Sequence, residues 1–365
     1  MRFYKWMIVF FYCTTFQVFT DPFSDWIDRV AERELSFHHK HGISQKSLDD
    51  AWRTLCKKAE FHRYKVVDSI VYGPESRIKN LLRELIKTGP VPNVDFIYYY
   101  EDRIKKSFAE KEREACSNPI FVSAKDRALP QFVLFSDWLY DPTNDLSGWN
   151  AICREIETSI PVSWGVRQEI LFWRGSAFDG KHFGMYDFSN WTFLPRGQLV
   201  FQSRRHPSWI NAAFSSYPDK CLASDPERCL AEMGPAEFVP ISEQLKYKYH
   251  ILIDGVTCTY PATHWKMLSG SAIFKQDSSE IMYFYPDLIA WQHYIPVRRD
   301  LSDLFIRLNW ARTHDEEVQK IAHNARRFAK ERLMPEHILA YCRAVLFRYA
   351  QLQRFAVTVG PDDLP

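Results

Sequence analysis

Two segments of the sequence end in side chains that could act on a hydroxyl group or an anion. Asp102 follows the β-prone residues 95–100, and a carboxylate held at the end of a strand could serve as a general base. The alternative is that Asp102 caps the next helix. Arg174, Gly175 and Ser176 end a second apolar run, where small residues let backbone N–H groups and a hydroxyl approach an anionic ligand. These residue types indicate acid–base chemistry and anion binding.

Two further segments suit a phosphate ligand. Arg196 begins the segment 196–203, and a guanidinium group matches a diphosphate and can neutralise the charge that develops on a leaving group. The alternative is an arginine on the surface of a helix. A third apolar run ends in a glycine turn rich in hydroxyl groups, which predicts a phosphate or ribose site, although such a turn is also the ordinary connection between a strand and a helix. Its residues are Asp254, Gly255, Val256, Thr257, Cys258, Thr259 and Tyr260.

Alternating strands and helices are predicted to position these four segments. The first half has helical spacing in residues 24–60, a strand with a turn at 64–72, a helix at 76–88 and β-prone runs at 95–100, 119–123 and 131–135. The second half has β-prone runs at 170–174, 249–254 and 271–275, followed by a helical tail at 300–353. This alternation predicts an α/β fold with parallel sheets. Ligands of such sheets bind at the carboxyl ends of the strands, so we expect the four segments to face one cleft.

Composition limits the classes of protein that fit. A chain of 365 residues favours two domains. A net charge of +2, from 47 basic and 45 acidic residues, argues against a nucleic-acid partner. The eight cysteines form no C-x-x-C pair, which argues against a zinc site. In an exported chain Cys221 could pair with Cys229, and Cys56 with Cys116; buried free thiols are the alternative.

The first twenty residues resemble an export signal. A short charged start is followed by an apolar run over residues 6–19, which predicts a secretory signal peptide or signal anchor at residues 1–20. A buried first strand is the alternative. An uncleaved anchor is the only membrane contact that we expect.

A longer set of motifs resembles one known family. It includes Lys-Tyr-Lys-Tyr at residues 246–249, Asp-Gly at 254–255, Phe-Tyr-Pro at 284–286 and Trp-Gln-His-Tyr-Ile-Pro-Val at 291–297. Together with the Arg-Gly-Ser turn at 174–176, the arginine segment 196–214 and the strand 92–102, these motifs are similar to those of the protein O-glucosyltransferases and fungal capsule-associated proteins, glycosyltransferase family 90. The resemblance spans about residues 60–350.

The resemblance implies a GT-B fold, in which two Rossmann-like domains face a cleft. The acceptor-side domain would span residues 21–160, the donor-binding domain 161–335, and a C-terminal helix and tail 336–365, packing back on the first domain. The implied reaction is metal-independent and uses no cofactor. It moves glucose or xylose from UDP-glucose or UDP-xylose, with inversion, to a serine of a secreted protein or to a surface glycan.

The resemblance also implies roles for individual residues. Asp102 would be the catalytic base. Arg174, Gly175, Ser176 and Arg196, with residues 254–260, would bind the donor. The implied location is the lumen of the endoplasmic reticulum or Golgi in a eukaryote, or the periplasm or cell envelope in a bacterium.

One position departs from the family pattern. Where eukaryotic members have an arginine after the nucleotide loop, this chain has Pro261, so a phosphate contact is missing or is supplied by His264 or Lys266. Trp291 and His293 could touch donor or acceptor; packing beneath the cleft is the alternative. Pro261 also motivates a second hypothesis, that of a binding protein or chaperone that keeps the sugar-nucleotide fold without catalysis.

Overall fold

The computed structural model describes residues 22–136, 148–159, 163–179, 184–185, 191–217, 226–259 and 261–361. The predicted export signal, Tyr260 and Cys221 lie outside these residues. The described α-helices are α1 (Pro22–Leu35), α2 (Gln45–Leu55), α3 (Arg77–Thr88), α4 (Lys106–Lys111), α5 (Gly148–Thr158), α6 (Pro195–Arg205), α7 (Pro226–Met233), α8 (Ile241–Gln244), α9 (Ala262–Leu268), α10 (Leu304–Thr313), α11 (Asp315–Arg332) and α12 (Pro335–Leu352). Short 3-10 turns occupy Ser36–His38, Ala115–Ser117, Trp164–Val166 and Tyr285–Asp287.

Most strands of the described residues form two five-stranded sheets. The strands are β1 (Phe61–Val67), β2 (Ile70–Tyr72), β3 (Val94–Tyr99), β4 (Ile120–Val122), β5 (Lys125–Asp126), β6 (Val133–Leu134), β7 (Gln168–Ser176), β8 (Phe178–Asp179), β9 (Gly184–Met185), β10 (Ile210–Ser216), β11 (Tyr247–Leu252), β12 (Ala272–Gln276), β13 (Glu280–Ile281) and β14 (Ile295–Val297). Strands β8 and β9 form a separate antiparallel pair.

The first sheet has the strand order β2-β1-β3-β4-β6. Strands β3, β4 and β6 are parallel, as predicted, but β1 runs antiparallel to both β2 and β3. The pairing of β1 with β2 follows from the tight turn at Asp68 and Ser69, whose φ angles of 48° and 65° are those of a two-residue hairpin loop. A two-residue loop returns the chain beside the strand it has just left, so the pairing must be antiparallel. The prediction of a parallel sheet is therefore wrong for this edge.

The second sheet is parallel throughout and has the order β10-β7-β11-β12-β14. Strand β7 comes first along the chain. The next strand, β10, lies on one side of it, and the chain then crosses to place β11 on the other side. The strand order therefore reverses between β7 and β11, which is the position where open parallel sheets bind ligands.

A small antiparallel pair joins segments that belong to the two halves of the chain. Strand β5 pairs with β13, so that Asp126 lies opposite Glu280. The Arg127 N–H donates to the Ser279 carbonyl at 2.8 Å, and the Ser279 hydroxyl donates to Asp126 Oδ2 at 2.8 Å. These bonds fix the loop after β12 against the loop after β4.

The last helix, α12, packs against the first helix and the first sheet. The buried Tyr349 hydroxyl donates to the Asp95 carbonyl of β3 at 2.7 Å. The buried Tyr341 hydroxyl donates to the Leu134 carbonyl of β6 at 2.7 Å. Both rings join the hydrophobic core that surrounds the first sheet, so the C-terminal helix stabilises the N-terminal half of the protein.

The described cysteines do not form the predicted Cys56–Cys116 bond. Cys56 is exposed and its thiol faces the Arg53 carbonyl, whereas Cys116 is buried in the core. Burial raises the pKa of the Cys116 thiol to about 12, which keeps it protonated and unreactive. Within the residues that the structure describes, no helix is both long and apolar enough to cross a membrane.

Candidate active site

The crevice between β7 and β11 collects several of the predicted donor-binding residues. Ser176 is the last residue of β7, and Asp254 and Gly255 follow the end of β11. Because these strands are neighbours and parallel, their carboxyl ends lie side by side. The two segments that the sequence singled out for anion binding are thus brought to the switch point of the sheet.

Arg196 reaches into this crevice from the first turn of α6. Pro195 occupies the first position of that helix, where its missing N–H costs no hydrogen bond. The guanidinium group donates through Nη1 to the carbonyl and hydroxyl oxygens of Ser176 at 3.1 and 3.2 Å. It also donates through Nε to the Asp254 carbonyl at 3.1 Å and through Nη2 to the Ile253 carbonyl at 3.2 Å. Uncharged oxygen atoms therefore orient the cation, and these contacts do not cancel its charge.

Gly255 leaves the space that this arginine occupies. A Cβ atom at residue 255 would lie 2.6 Å from Arg196 Nη2 and 2.9 Å from its Cζ. Only a residue without a side chain fits this close approach without displacing the guanidinium group. The glycine of the turn is therefore explained by the position of Arg196.

The rest of the loop is held by buried hydroxyl groups. Thr259 Oγ1 lies 3.0 Å from Thr263 Oγ1, which lies 3.0 Å from the Tyr285 hydroxyl. Cys258 is buried, and burial followed by the charge of Asp254 raises the pKa of its thiol. Its thiolate is therefore disfavoured at neutral pH, and this cysteine serves as packing.

Asp102 lines a cavity of about 350 Å³ together with Val256 of the loop. Strand β3 delivers the aspartate, as predicted from the sequence, and the carboxyl group is half-buried. Tyr99 lines the same cavity. The pKa of its phenol is raised to about 12, first by burial and then by the negative charges of Glu101, Glu60 and Asp102. The predicted base and the predicted donor loop thus share one cavity, although they come from different halves of the chain.

The sequence predictions omitted Arg103 and Glu280, which join the two walls of this site. Arg103 Nη1 donates to Glu280 Oε1 at 2.9 Å, and Thr257 Oγ1 donates to Glu280 Oε2 at 3.0 Å. Glu280 is fully buried. Glu280 lies four residues beyond the end of β12. That position could have indicated a site residue, because residues after parallel strands line the ligand crevice.

A second cavity, of about 660 Å³, has walls from both halves of the chain and contains none of the predicted site residues. Its charged and aromatic side chains include Arg127, Lys275 and Tyr285, with the Lys275 ammonium 4.6 Å from the centre of the Tyr285 ring. Ser278 in its wall donates a hydrogen bond to Asp254 Oδ2. This cavity therefore adjoins the donor loop, and Asp102 is not in its wall.

Arg174 is engaged away from the crevice. Its Nη2 donates to Glu237 Oε1 at 2.6 Å and to Asn211 Oδ1 at 3.0 Å. The guanidinium group is buried over the Phe172 ring, 4.5 Å from its centre. An arginine that already has a carboxylate partner has little charge left to offer a phosphate, so these contacts argue against the expected donor contact.

The two candidates for replacing the arginine at residue 261 are both buried. His264 lies between the rings of Trp149 and Phe284, at 5.6 and 5.1 Å, and burial lowers its pKa to about 3. Lys266 donates to the Ile251 carbonyl at 2.9 Å. Burial first, and the charge of Arg196 second, lower the pKa of Lys266 to about 7. His264 is therefore uncharged at neutral pH, and Lys266 could act on a ligand only through the field of its charge.

Trp291 and His293 both take part in packing contacts. Trp291 stacks edge-on against Trp310, with ring centres 4.8 Å apart, and the Arg307 guanidinium lies 5.0 Å from its ring. His293 is buried against Phe328, and its Nδ1 accepts the Ile289 N–H at 3.0 Å. These contacts favour the packing alternative for His293, whereas Trp291 is an exposed residue. Among the residues described, no three His, Cys, Asp or Glu side chains are grouped so that they could hold a metal ion.

Several known proteins are similar to this chain. Human protein O-glucosyltransferase 3 is 35% identical over 211 residues, which cover 58% of this chain and 36% of that protein. Bovine protein O-glucosyltransferase 1 is 29% identical over 347 residues, covering 90% of this chain and 81% of that protein. The chain thus spans about a third of the length of the first of these relatives.

A structural comparison gives a weak match. The crystal structure of Anabaena HepE in complex with UDP-glucose has a TM-score of 0.41 and 9% identity, over 75% of this chain and 76% of that one. Such a match is too weak to carry an argument about function. The sequence profile of glycosyl transferase family 90, in contrast, matches residues 25–363, almost the whole of the described protein. The chain belongs to glycosyl transferase family 90.

Proposed function

We propose that this protein is a glycosyltransferase that moves a sugar from a UDP-sugar to a hydroxyl group of a protein. Family membership supports the transfer of a sugar, and the relatives named protein O-glucosyltransferase support a protein acceptor. Glucose or xylose is the proposed sugar, and serine in a secreted protein, or a surface glycan, the proposed acceptor. The proposed location is the lumen of the secretory pathway, or the periplasm of a bacterium.

The two sheets correspond, in this proposal, to the two domains of a GT-B enzyme. Residues 21–160 contain the first sheet and would bind the acceptor, and residues 161–335 contain the parallel sheet and would bind the donor. Residues 336–365 contain most of the helix that packs against α1 and β3. A cleft between two sheets suits a reaction of two substrates, since each substrate is held by its own set of strands.

The observation that carries the proposal is the position of Arg196 at the switch point of the parallel sheet. Hydrogen bonds to oxygen atoms of Ser176, Ile253 and Asp254 hold its guanidinium group in place. The group lies at the crevice where open sheets bind nucleotides. A diphosphate there would lie in the field of an already oriented cation, so little reorganisation would be needed to stabilise its negative charge. In this proposal Ser176, Gly255 and the backbone of residues 256–260 contact the same diphosphate.

Asp102 is the proposed general base. It would take the proton of the acceptor hydroxyl while that oxygen attacks the anomeric carbon of the sugar. The bond from this carbon to the diphosphate breaks, and UDP leaves with the electron pair. Attack from the face opposite to UDP inverts the anomeric centre. Arg196 would stabilise the charge on the departing UDP, and no step requires a metal or a cofactor.

The test is the release of UDP from UDP-glucose and from UDP-xylose, compared between the wild type and Asp102→Asn. We expect kcat to fall by about 10²–10⁴-fold in the variant, with little change in the affinity for UDP, because asparagine keeps the shape but accepts no proton. Glu101→Gln is the matched control, since Glu101 is the neighbouring acid of the same cavity, and it should retain most of the turnover. Equal turnover of Asp102→Asn and the wild type would remove Asp102 from its role. UDP binding without any turnover by the wild type would instead support the non-catalytic alternative.

A further inference from the structure

The carboxylate of Glu280 connects the two walls of the catalytic cavity. One oxygen accepts the hydrogen bond from Arg103, the residue after the proposed base, and the other accepts the hydrogen bond from Thr257, the residue after Val256 in the donor loop. The two donors belong to segments that lie far apart in sequence. Both walls of the cavity that contains Asp102 and Val256 are therefore bonded to a single side chain.

The backbone of Glu280 is itself held in place. Strand β13 pairs it with Asp126 of β5, and its N–H donates to the Ser278 hydroxyl at 3.0 Å. That hydroxyl in turn contacts Asp254. A fully buried carboxylate costs several kcal/mol of desolvation unless it is paired and hydrogen-bonded. Here each of the two carboxylate oxygens accepts a hydrogen bond, and Arg103 supplies the opposite charge.

We infer that Glu280 is a positioning residue that sets the distance between the proposed base and the donor loop, through Arg103 on one side and Thr257 on the other. This inference rests on the proposed function. The chemistry requires the acceptor oxygen at Asp102 to reach the sugar held above residues 255–259. A misplacement of about 1 Å can reduce the rate by about 10²-fold. Neither Glu280 nor Arg103 needs to touch a substrate for this role.

Two variants separate positioning from simple destabilisation. Thr257→Val keeps the shape of the side chain and removes only the hydroxyl that bonds to Glu280. Glu280→Gln keeps the size and removes the charge that faces Arg103. The matched control is Lys248→Met, because Lys248 is a buried cation that pairs with Glu169 at 2.9 Å and with Asp315 at 2.8 Å. It lies in β11, the strand that leads into the donor loop, but near the end of that strand remote from the loop.

Steady-state transfer, UDP calorimetry and thermal unfolding are measured on all four proteins. We expect kcat of Thr257→Val and Glu280→Gln to fall by about 10-fold or more, with the KM for the donor and the affinity for UDP little changed. Lys248→Met should lower the unfolding temperature and leave kcat intact. Values of kcat within about twofold of the wild type in both site variants would overturn the inference.

A second readout does not depend on turnover. If the wild type releases no UDP, the proposed reaction fails, and the connection is then tested by amide hydrogen exchange. Thr257→Val should speed the exchange of residues 101–103, to which Thr257 is linked through Glu280 and Arg103, whereas Lys248→Met should not. Unchanged exchange at residues 101–103 would contradict the inference even in an inactive protein.

Discussion

Gly255→Ala should weaken the enzyme by displacing Arg196. The added Cβ would lie 2.6 Å from Nη2, whereas ordinary contacts of a Cβ begin at 3.4 Å. The guanidinium group must therefore retreat by about 0.8 Å, the difference between these two distances. The backbone at residue 255 does not have the positive φ that alanine avoids, so the effect comes from the arginine and not from strain in the turn.

The size of the effect follows from the bonds that the displacement disturbs. Arg196 donates four hydrogen bonds of 3.1–3.2 Å to Ser176, Ile253 and Asp254. A shift of about 0.8 Å breaks or bends some of them and moves the charge away from the diphosphate. A displacement of this order can cost about 10–100-fold in kcat/KM, or roughly 1.4–2.8 kcal/mol of transition-state stabilisation.

The assay is UDP release over a range of donor concentrations, with UDP calorimetry beside it. Gly89→Ala is the matched control, because a Cβ at residue 89 would crowd Arg343 at 3.1 Å in a region of α3 and α12 outside both cavities. It should affect stability and leave kcat/KM unchanged. The double variant Gly255→Ala/Arg196→Lys should be no worse than Arg196→Lys alone, because both changes act on the same cation. Fully additive losses, or a kcat/KM for Gly255→Ala close to the wild-type value, would refute the reasoning.

Three further predictions concern buried polar side chains. The pKa of Lys266 is lowered from 10.5 to about 7, so between these pH values the side chain is neutral in the folded state and protonated in the unfolded state. The free energy of unfolding should therefore rise with pH through this window. Lys266→Met should remove roughly 3 kcal/mol of this rise between about pH 6.5 and 9.5, measured by urea unfolding. Lys125→Met removes the cation that lies 2.8 Å from the buried Glu34, so about 3–5 kcal/mol of unfolding free energy should be lost, as measured by urea unfolding; a loss below about 1 kcal/mol would contradict this prediction. Tyr349→Phe should cost about 1 kcal/mol, measured by urea unfolding, because the Asp95 carbonyl loses a buried donor; an unchanged midpoint would mean that water replaces the hydroxyl.

Sequence patterns located most of the elements that carry the site. Helix α3 begins after Ser76, whose hydroxyl accepts the Lys79 N–H, and ends before Gly89, as the amphipathic spacing predicts. The apolar runs that become β3, β7, β11 and β12 were also visible, because buried parallel strands are nearly continuous in apolar residues. The strand-end rule then pointed to Asp102, Ser176 and Asp254 without any knowledge of pairing.

Other features could not be read from one-dimensional patterns. Strand β10, which forms the edge beside β7, has the sequence Ile-Asn-Ala-Ala-Phe-Ser-Ser, and its small residues give a weak strand signal. The antiparallel pairing of β1 with β2 depends on the tight turn at Asp68 and Ser69. Arg174 stands in the expected turn, yet its partner Glu237 lies far along the chain. Sequence spacing does not reveal whether Arg174 or Arg196 forms an ion pair with a carboxylate.

Arg174 and Arg196 differ in their hydrogen-bond partners, and this difference favours Arg196 as the cation that acts on a ligand in the crevice. Arg174 lies within β7, and Arg196 contacts Ser176 at the end of the same strand. Arg174 pairs with the Glu237 carboxylate, whereas Arg196 donates to three carbonyl oxygens and one hydroxyl. Carbonyl dipoles orient a guanidinium group but leave its net charge in place. Burial first, and the charge of Arg196 second, lower the pKa of the nearby Lys266. A diphosphate would meet an already oriented cation at Arg196, and little reorganisation would be needed when negative charge develops on UDP.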